Sequence, residues 1–488
     1  MLFNSVDFLV FFASVFLLFY VIPKTWQWGL LLAASWYFYA AWKWPFIFLL
    51  LTSTLVDYFA GLGIAATESR RRKRLFLALS LFVNLGLLFY FKYAGFFTDV
   101  ARQMVADDEI SRIIPNLNPL LPVGISFYTF QTLGYTIDVY RGVLAPQRHF
   151  GKFALYVAYF PQLVAGPIER AQSLIPQLDR KVSFDYDRVV SGARMAAAGL
   201  FKKVVIADNL GVLVDRIYDH PQGHQGLPLV IATVAFTYQL FCDFSGYSDM
   251  AVGLARMLGV DLIRNFDRPF FTKNLSHFWR RCHTSLGLWF REYIYIPLGG
   301  NRRGPFVYYR NIFIVFVLSG FWHGASWNYL AWGASQAVFF ILGSLTLPLR
   351  DALVDFTGLG RVPRLLAGLQ HLKVFFLYTV SMVFFRAATL GDAGYVFTHL
   401  HQGLRQDLFD GGAWWSVLSL SGNAGKIIVV GGFILIMEII HGFADRFPTD
   451  RTVARLPGLV RWTIYLALIY GMLLFGEFSG HQFIYFQF

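Results

Sequence analysis

The sequence predicts an all-α, polytopic membrane protein with about eleven transmembrane helices, accompanied by re-entrant and interfacial helices. The chain has 488 residues, of which 56% are hydrophobic and 18% aromatic, and its mean hydropathy is +0.50. Charged residues make up 15% of it, whereas an average soluble domain has about 25%. No stretch has the composition of a soluble domain. We therefore expect residues 1–488 to form a single integral membrane domain.

The net charge and the cysteine content argue against nucleic-acid binding, a disulfide framework and a cysteine-rich metal site. The 42 Lys and Arg residues exceed the 29 Asp and Glu residues by 13. In a membrane protein such an excess is typical of cytoplasmic loops and of contacts with anionic lipid, so it does not indicate nucleic-acid binding. Cys242 and Cys282 lie in apolar or membrane-edge segments. We expect neither a disulfide framework nor a cysteine-rich metal site, and we assign no metal ligands.

Residues 1–22 form the first predicted crossing. They carry Asp7 instead of a basic leader and lack a small-residue cleavage site, so they do not resemble a cleavable signal peptide. The second and third crossings are expected at 28–42 and 45–64. Five consecutive basic residues follow at 70–74. Such a cluster indicates a cytoplasmic loop, and counting back three crossings places the N-terminus outside.

The next segments alternate between apolar and polar character. A fourth crossing is expected at 75–97, and the polar span that opens at 122–131 should face the protein interior. The apolar run around 161–167 is too short to cross, so we interpret it as re-entrant. The loop after the fourth crossing is consistent with an external position and contains Asp99, Asp107, Asp108 and Glu109.

The middle of the chain combines a basic helix with a polar one. An Ala/Gly-rich helix is expected at 189–209, with Lys202 and Lys203 near its end. A further span at 227–241 leads into 243–249, which contains two aspartates and two serines. These polar residues indicate either a polar lining or a helix boundary.

Aromatic and basic residues alternate at helical spacing over 278–293, which is typical of a helix lying in the membrane interface. Residues 297–303 then predict a tight, basic turn. Five more spans complete the chain, at about 311–322, 327–347, 371–388, 425–441 and 462–478.

The strongest candidate site residue is His323, a lone titratable side chain in the apolar run 318–327. An ionisable residue at membrane depth costs several kcal/mol unless it faces a polar cavity or a partner, so it marks a site by default. Gly320 and Gly324 leave room beside it. Trp327 is expected one turn along on the same helix face. The alternative interpretation is a histidine that only hydrogen-bonds a neighbouring helix.

Six motifs occur together and in order, and they carry a resemblance that covers essentially the whole chain. The chain resembles the membrane-bound O-acyltransferase family, and within it the bacterial branch that acetylates alginate and other polysaccharides. The terminal run FIYFQF (483–488) is similar to that branch, whereas Cys282 stands where an aromatic is expected, which leaves the polysaccharide open. The motifs are LPVGISFY (121–128), VAGPI (164–168), FSGYSD (244–249), FWRRCH (278–283), YIPLGGN (295–301) and WHG (322–324).

The resemblance implies a funnel-shaped helix bundle with a tunnel through the bacterial inner membrane. The family's catalytic histidine corresponds to His323 and its second histidine to His283. The acyl donor would be a cytoplasmic thioester, either acetyl-CoA or an acyl carrier, with no permanently bound cofactor. The expected partners are membrane lipid and a periplasmic acetyltransferase or polysaccharide machinery. We assign a substrate-binding role to Trp279, Arg281, Asn301, Trp322 and Asp243.

The chemistry of acyl transfer is compatible with these assignments. Transfer to a hydroxyl needs a base for the proton and donors for the oxyanion, and a neutral His323 in an apolar tunnel can serve as that base. No G-x-S-x-G motif indicates a serine nucleophile. A thiol nucleophile is disfavoured because Cys282 and His283, as neighbours on a helix, would point about 100° apart. His283 either positions the thioester or packs at the interface.

Six basic side chains are expected around the cytoplasmic mouth of the tunnel. Most of them fit the ordinary positive-inside bias, and one or two are candidates to bind phosphates of coenzyme A or of a carrier. They are Lys202, Lys203, Arg280, Arg281, Arg302 and Arg303.

Three functions remain open from the sequence. The first is an O-acetyltransferase that acts on an exported polysaccharide, and the second is a transferase of D-alanine from a carrier protein to a cell-wall polymer. The third is a polysaccharide transporter or export channel. Against the third, the chain has no repeated halves, and its polar residues are concentrated over 243–327.

Overall fold

A computed structural model describes residues 1–105, 114–444, 449–478 and 482–486. Within these ranges the regular structure is helical, apart from one isolated antiparallel bridge between Phe266 and Cys282. The all-α class predicted from the sequence is therefore confirmed. Three of the four acidic residues assigned to an external loop, 107–109, lie outside the described residues.

The chain contacts divide it into two compact units, Met1–Ala196 with Ser248–Arg264, and Ala197–Tyr247 with Asn265–Phe488. The expectation of a single membrane domain stays a prediction. The α-helices α1 to α10 are Val6–Val21, Gln27–Ala40, Ile47–Ala65, Arg70–Leu88, Ala94–Met104, Ile125–Tyr140, Phe150–Ala158, Phe160–Leu163, Ala171–Leu178 and Tyr186–Phe201.

The later helices begin after a π-helical segment at Lys202–Ala207. Helices α11 to α24 are Asp208–Tyr218, Leu227–Met257, Leu275–Arg281, Thr284–Phe290, Pro305–His323, Trp327–Leu345, Leu347–Thr357, Pro363–Arg386, Leu390–His399, Leu404–Asp407, Gly411–Ser419, Ala424–Phe443, Thr449–Arg455 and Gly458–Phe475.

Seven helical segments among the described residues are long and apolar enough to cross a membrane, or eight if the bent pair α16 and α17 forms one span. The chain is therefore a multi-pass membrane protein. Two predicted crossings correspond to α1 and α2, which have 16 and 14 residues and are shorter than the roughly 20 residues that a span needs. The total of about eleven crossings stays a prediction. The seven segments are Trp44–Ala65, Arg70–Met104, Leu227–Met257, Pro305–His323, Pro363–Arg386, Ala424–Phe443 and Gly458–Phe475.

Polar residues of the first unit are turned inward, as the sequence predicts for α6. Of its 16 residues, 14 are buried, and Thr136 donates a 2.9 Å hydrogen bond to Asp57 on α3. Asn84 on α4 donates to the same carboxylate at 2.8 Å, and Ser80 donates as well. These donors satisfy a buried carboxylate that would otherwise be costly in an apolar bundle. The apolar run around 161–167 begins in the short buried helix α8, which directly follows α7.

The course of two segments differs from the sequence-based expectation. Of the two interpretations of 243–249 the helix boundary is wrong, because α12 continues for 31 residues through this segment, in which Asp243, Ser245 and Ser248 are buried. The interfacial helix over 278–293 does not exist as one helix, because α13 ends at Arg281 and α14 begins at Thr284. Its aromatic rings, including those of Phe278, Phe290 and Tyr293, are buried in the protein. Helical spacing in the sequence does not reveal a two-residue break.

Candidate functional site

His323 is the last residue of α15, because the backbone of Gly324 is extended (φ −166°, ψ 150°) and ends the helix. The side chain of His323 is buried, with 5% of the residue exposed. The expectation that Trp327 follows on the same helix is wrong, since Trp327 begins α16 and is 52% exposed. The candidate base therefore lies at the turn between two packed helices.

Glycines allow α15 and α16 to approach closely beside His323. A Cβ atom at Gly320 would collide with the carbonyl oxygen of Tyr329, and one at Gly333 would collide with that of Phe316. A Cβ at Gly324 would meet the Tyr329 ring. The positions of Gly320 and Gly324, which the sequence indicated as space beside the histidine, are thus occupied by the facing helix rather than open to substrate.

His283 lies in the break between α13 and α14, and its backbone is left-handed (φ 49°, ψ 49°). Such a conformation is uncommon for a residue other than glycine and is often found at functional sites. Two backbone hydrogen bonds fix the conformation of this break. The Asp267 amide donates to the carbonyl oxygen of Arg281 at 2.9 Å, and the Thr284 amide donates to that of Asn265 at 3.1 Å.

The two imidazole rings face a common aromatic environment. Their centroids lie 6.4 Å apart, and the His283 ring is 5.8 Å from the Trp322 ring and 4.7 Å from that of Phe244. Burial lowers the pKa of His283 to about 3, so this side chain stays neutral at physiological pH.

Burial also changes the pKa of the neighbouring thiol, that of Cys282. Cys282 is extended (φ −120°, ψ 122°) and pairs with Phe266, so the helical geometry assumed for Cys282 and His283 is wrong. Burial raises the pKa of Cys282 well above its ordinary value. A protonated thiol is a poor nucleophile, so the structure disfavours a thiol mechanism for a different reason from the one the sequence suggested.

Tyr485 is a site residue that sequence reasoning missed. Its ring centroid lies 5.6 Å from that of His323, 6.3 Å from that of His283 and 6.5 Å from that of Trp322. The signal was present, because the terminal run 483–488 contributes to the family resemblance, but nothing local marks one tyrosine in an aromatic segment as a partner of two histidines.

A cavity of about 1150 Å³ within the second unit includes both histidines in its lining. Along α15 it contacts Tyr308, Ile312, Val315, Phe316, Ser319 and His323, which lie on one helix face. From Tyr308 to His323 this face is about 23 Å long, which covers most of the roughly 30 Å core of a bilayer. The other end of the cavity is lined by exposed, basic side chains of Arg280, Arg291, Arg302 and Arg303.

The remaining predicted residues divide between the cavity and its surroundings. Trp279 and Asn301 line the cavity, as do three of the six basic residues, Arg280, Arg302 and Arg303. Outside its lining, Trp322 packs against both histidines, and Arg281 lies 4.0 Å from Asp267.

Three polar residues of the sequence analysis, Lys203, Asp243 and Lys202, are not in the lining of the cavity. Lys203 is not at an exposed mouth: its side chain is 1% exposed and pairs with Asp243 and Asp208, at 2.5 and 2.8 Å. Asp243 therefore belongs to a buried ion cluster outside the cavity lining. Lys202 is half-buried, with its ammonium 5.9 Å from the centre of the Phe241 ring.

Two indole groups of the cavity wall are available for hydrogen bonding. Trp332 and Trp279 line the cavity, and within the described part of the chain their buried Nε1–H groups have no hydrogen-bond acceptor. The Trp332 ring lies 5.1 Å from that of His323, nearly perpendicular to it. A proton acceptor and an N–H donor are thus adjacent in a buried part of the cavity wall, and transfer of an acyl group uses both kinds of group.

The long apolar helices and a cavity with paired histidines at one end and arginines at the other define a multi-pass membrane protein with an enzyme-like site. Comparisons with known proteins name the class. The model of the MBOAT, membrane-bound O-acyltransferase, family matches residues 145–385, which include both histidines. The chain is 39% identical to the probable alginate O-acetylase AlgI of Pseudomonas aeruginosa over 80% of this chain and 73% of the relative. The chain belongs to the membrane-bound O-acyltransferase family and is an acyltransferase.

Two further relatives show the breadth of the similarity. The peptidoglycan O-acetyltransferase of Helicobacter pylori is 34% identical over 76% of this chain and 72% of its own length. The teichoic acid D-alanyltransferase of Bacillus subtilis is 27% identical over 46% of this chain and 59% of its own. The resemblance found in the sequence motifs is therefore confirmed, and it is stronger towards the O-acetylating relatives.

Proposed function

We propose that this protein transfers an acetyl group from a cytoplasmic thioester, acetyl-CoA, across the inner membrane towards hydroxyl groups of an exported polysaccharide. The observation that supports this proposal most directly is the cavity along α15, which connects exposed arginines with two buried histidines. Arginine is suited to bind the phosphates of coenzyme A. The length of α15 supports entry of the donor on one side of the membrane and departure of the acetyl group on the other.

In this mechanism His323 acts as the general base. The acceptor hydroxyl attacks the thioester carbonyl while His323 takes up its proton. The resulting imidazolium returns the proton to the departing thiolate of coenzyme A. Because the surroundings of His323 are aromatic and buried, water is kept away from the thioester.

The negative charge that develops on the carbonyl oxygen needs a hydrogen-bond donor. The Nε1–H of Trp332 is the best-placed candidate, since it is buried in the cavity wall beside His323. His283 stays neutral and supplies a polar group close to the reacting atoms. Tyr485 places a phenol against both imidazoles and is a further group that the acetyl carbonyl or the acceptor hydroxyl can contact.

The orientation of the protein is part of the proposal. The basic cluster at 70–74 supports a cytoplasmic loop and an N-terminus outside the inner membrane. A periplasmic acetyltransferase would receive the acetyl group or present the polymer. Transfer of D-alanine is a weaker alternative, because the D-alanyltransferase relative covers less than half of this chain. Family membership favours acyl transfer over an export channel.

The test is an assay of purified protein with radiolabelled acetyl-CoA and an oligosaccharide acceptor, in the presence of the periplasmic fraction of the host. We expect release of coenzyme A coupled to acetyl ester formation. Transfer from an acylated carrier protein but not from acetyl-CoA would contradict the proposed donor.

A further inference from the structure

The last described segment of the chain, residues 482–486, lies against the candidate active site. The Tyr485 ring is 4.1 Å from that of Phe244 and 5.6 Å from that of His323. The segment contains a single 3₁₀ turn, Ile484–Phe486, so its own secondary structure does little to fix its position. Other parts of the protein must hold it in place.

A buried cluster of charges lies next to this segment. The Lys203 Nζ atom is 2.5 Å from Asp243 Oδ1 and 2.8 Å from Asp208 Oδ1, and the three side chains are at most 4% exposed. Burial opposes the charge of Lys203, but Asp243 and Asp208 hold its pKa above the ordinary value. Buried ion pairs contribute little net stability compared with well-packed apolar side chains. A contribution to folding stability therefore does not account for this cluster.

Two members of the cluster hold the segment directly. The Ile484 amide donates a 2.8 Å hydrogen bond to Asp243 Oδ2, the carboxylate oxygen that does not face Lys203. The Lys203 ammonium lies 4.4 Å from the centre of the Phe483 ring and contacts the Gln482 carbonyl oxygen at 3.5 Å. The hydrogen bond and the cation–π contact therefore fix the residues that immediately precede Tyr485.

We infer that Asp243 and Lys203 form a clamp that positions the C-terminal segment, so that Tyr485 is held against His323 during acyl transfer. They act as positioning residues, because neither side chain is in the cavity lining and both contact this segment. The inference rests on the proposed role of His323. Asp208 provides a matched control, since it pairs with Lys203 but makes no hydrogen bond to residues 482–486 in the described structure.

The first comparison uses Asp243→Leu and Asp208→Leu in the full-length protein. Each variant leaves Lys203 with one carboxylate, so the two are balanced in charge. Asp243→Leu should lower kcat by about tenfold or more, because small displacements of groups in a site have large effects on rate. The KM for acetyl-CoA should change less than about twofold, since the arginines are untouched, and Asp208→Leu should stay near wild type. Equal loss of kcat in both variants would overturn the clamp.

The second comparison changes the donor of the hydrogen bond, the Ile484 amide, and leaves the ion cluster intact. Ile484→Pro removes the amide hydrogen at the first residue of the 3₁₀ turn, where proline is tolerated, and Ile484→Ala keeps it. In protein with 3-fluorotyrosine at position 485, the ¹⁹F resonance should move in Ile484→Pro and remain in Ile484→Ala. An unmoved resonance in Ile484→Pro would overturn the inference.

These readouts separate the two proposals. The fluorine resonance reports the position of Tyr485 whether or not the protein transfers acetyl groups. Wild-type protein that transfers no acetyl group therefore contradicts the proposed function, and the resonance still decides whether the clamp exists. A displaced resonance with unchanged kcat would show that Tyr485 need not be positioned for transfer and would overturn the inference.

Discussion

The imidazole rings of His283 and His323 lie 6.4 Å apart although 40 residues separate them in the chain and neither belongs to the interior of a helix. His283 lies in a break between α13 and α14, where its backbone is left-handed, and His323 is the last residue of α15. Both rings line one cavity, so a single bound molecule can contact both.

Trp332→Phe tests the proposed oxyanion donor. Phenylalanine retains an aromatic ring beside His323 but loses the Nε1–H group together with one ring of the buried indole, so the Tm of the variant is measured beside its kcat. We expect kcat for acetyl transfer to fall by roughly 10²–10³-fold, which is typical for removal of one such donor. Trp279→Phe is the control. It should mainly raise the KM for the donor, and a larger loss of kcat in Trp279→Phe than in Trp332→Phe would refute the assignment.

Cys282→Ser should retain most of the acetyl-transfer activity, because burial keeps the thiol protonated and transfer is direct. Cys242→Ser, at the other buried cysteine, is the matched control. Both variants are measured for transfer after their membrane insertion is verified. A loss of about a hundredfold or more in Cys282→Ser alone would restore the thiol mechanism.

The depressed pKa of His283 predicts a specific dependence of stability on pH. In the unfolded chain its imidazole takes up a proton near pH 6.5, whereas in the folded protein it does so only near pH 3. The unfolded state therefore binds more protons between these values. The stability due to neutral His283 is complete above pH 6.5 and falls as the pH decreases, by about 2 kcal/mol at pH 5.

Thermal unfolding in detergent at pH 7 and pH 5 measures this effect. The fall in Tm between the two pH values should be smaller in His283→Gln than in wild type, because glutamine does not titrate. The same fall in both proteins would mean that His283 is not held neutral by burial.

The topology can be tested at Ser69, which is exposed immediately before α4. In a variant without native cysteines, Ser69→Cys should react with a membrane-impermeant maleimide only after the cytoplasm is opened. The reason is the basic cluster at 70–74, which favours the cytoplasmic side. Reaction in intact spheroplasts would reverse the predicted orientation and place the N-terminus inside.

Much of the fold could be predicted, because hydropathy depends on local sequence. The last spans agree with α15, α16, α18, α22 and α24 to within a few residues at most of their ends. The break at Cys282 and the unbroken course of α12 through Asp243 could not be predicted in this way. Both depend on backbone contacts, such as the bridge between Cys282 and Phe266, that apolar periodicity does not encode.

The candidate site was predictable where a residue is unusual in its own segment. His323 stands out as a titratable group in an apolar run, and the structure places it in a buried cavity wall. Lys203 was wrongly assigned to an exposed mouth, because its partner Asp243 is 40 residues away and the pairing is set by tertiary structure. Tyr485 was missed for the same reason, since it reaches the site only through long-range packing.

The most direct test of the proposed mechanism is the rate of acetyl transfer by His323→Gln. Glutamine preserves hydrogen bonding and approximate volume but cannot take up a proton at neutral pH. Transfer from acetyl-CoA should fall by at least about a hundredfold, the lower end of what a positioned base contributes, while expression and Tm stay close to wild type. Near wild-type acetylation by His323→Gln would contradict the assignment of His323 as the general base.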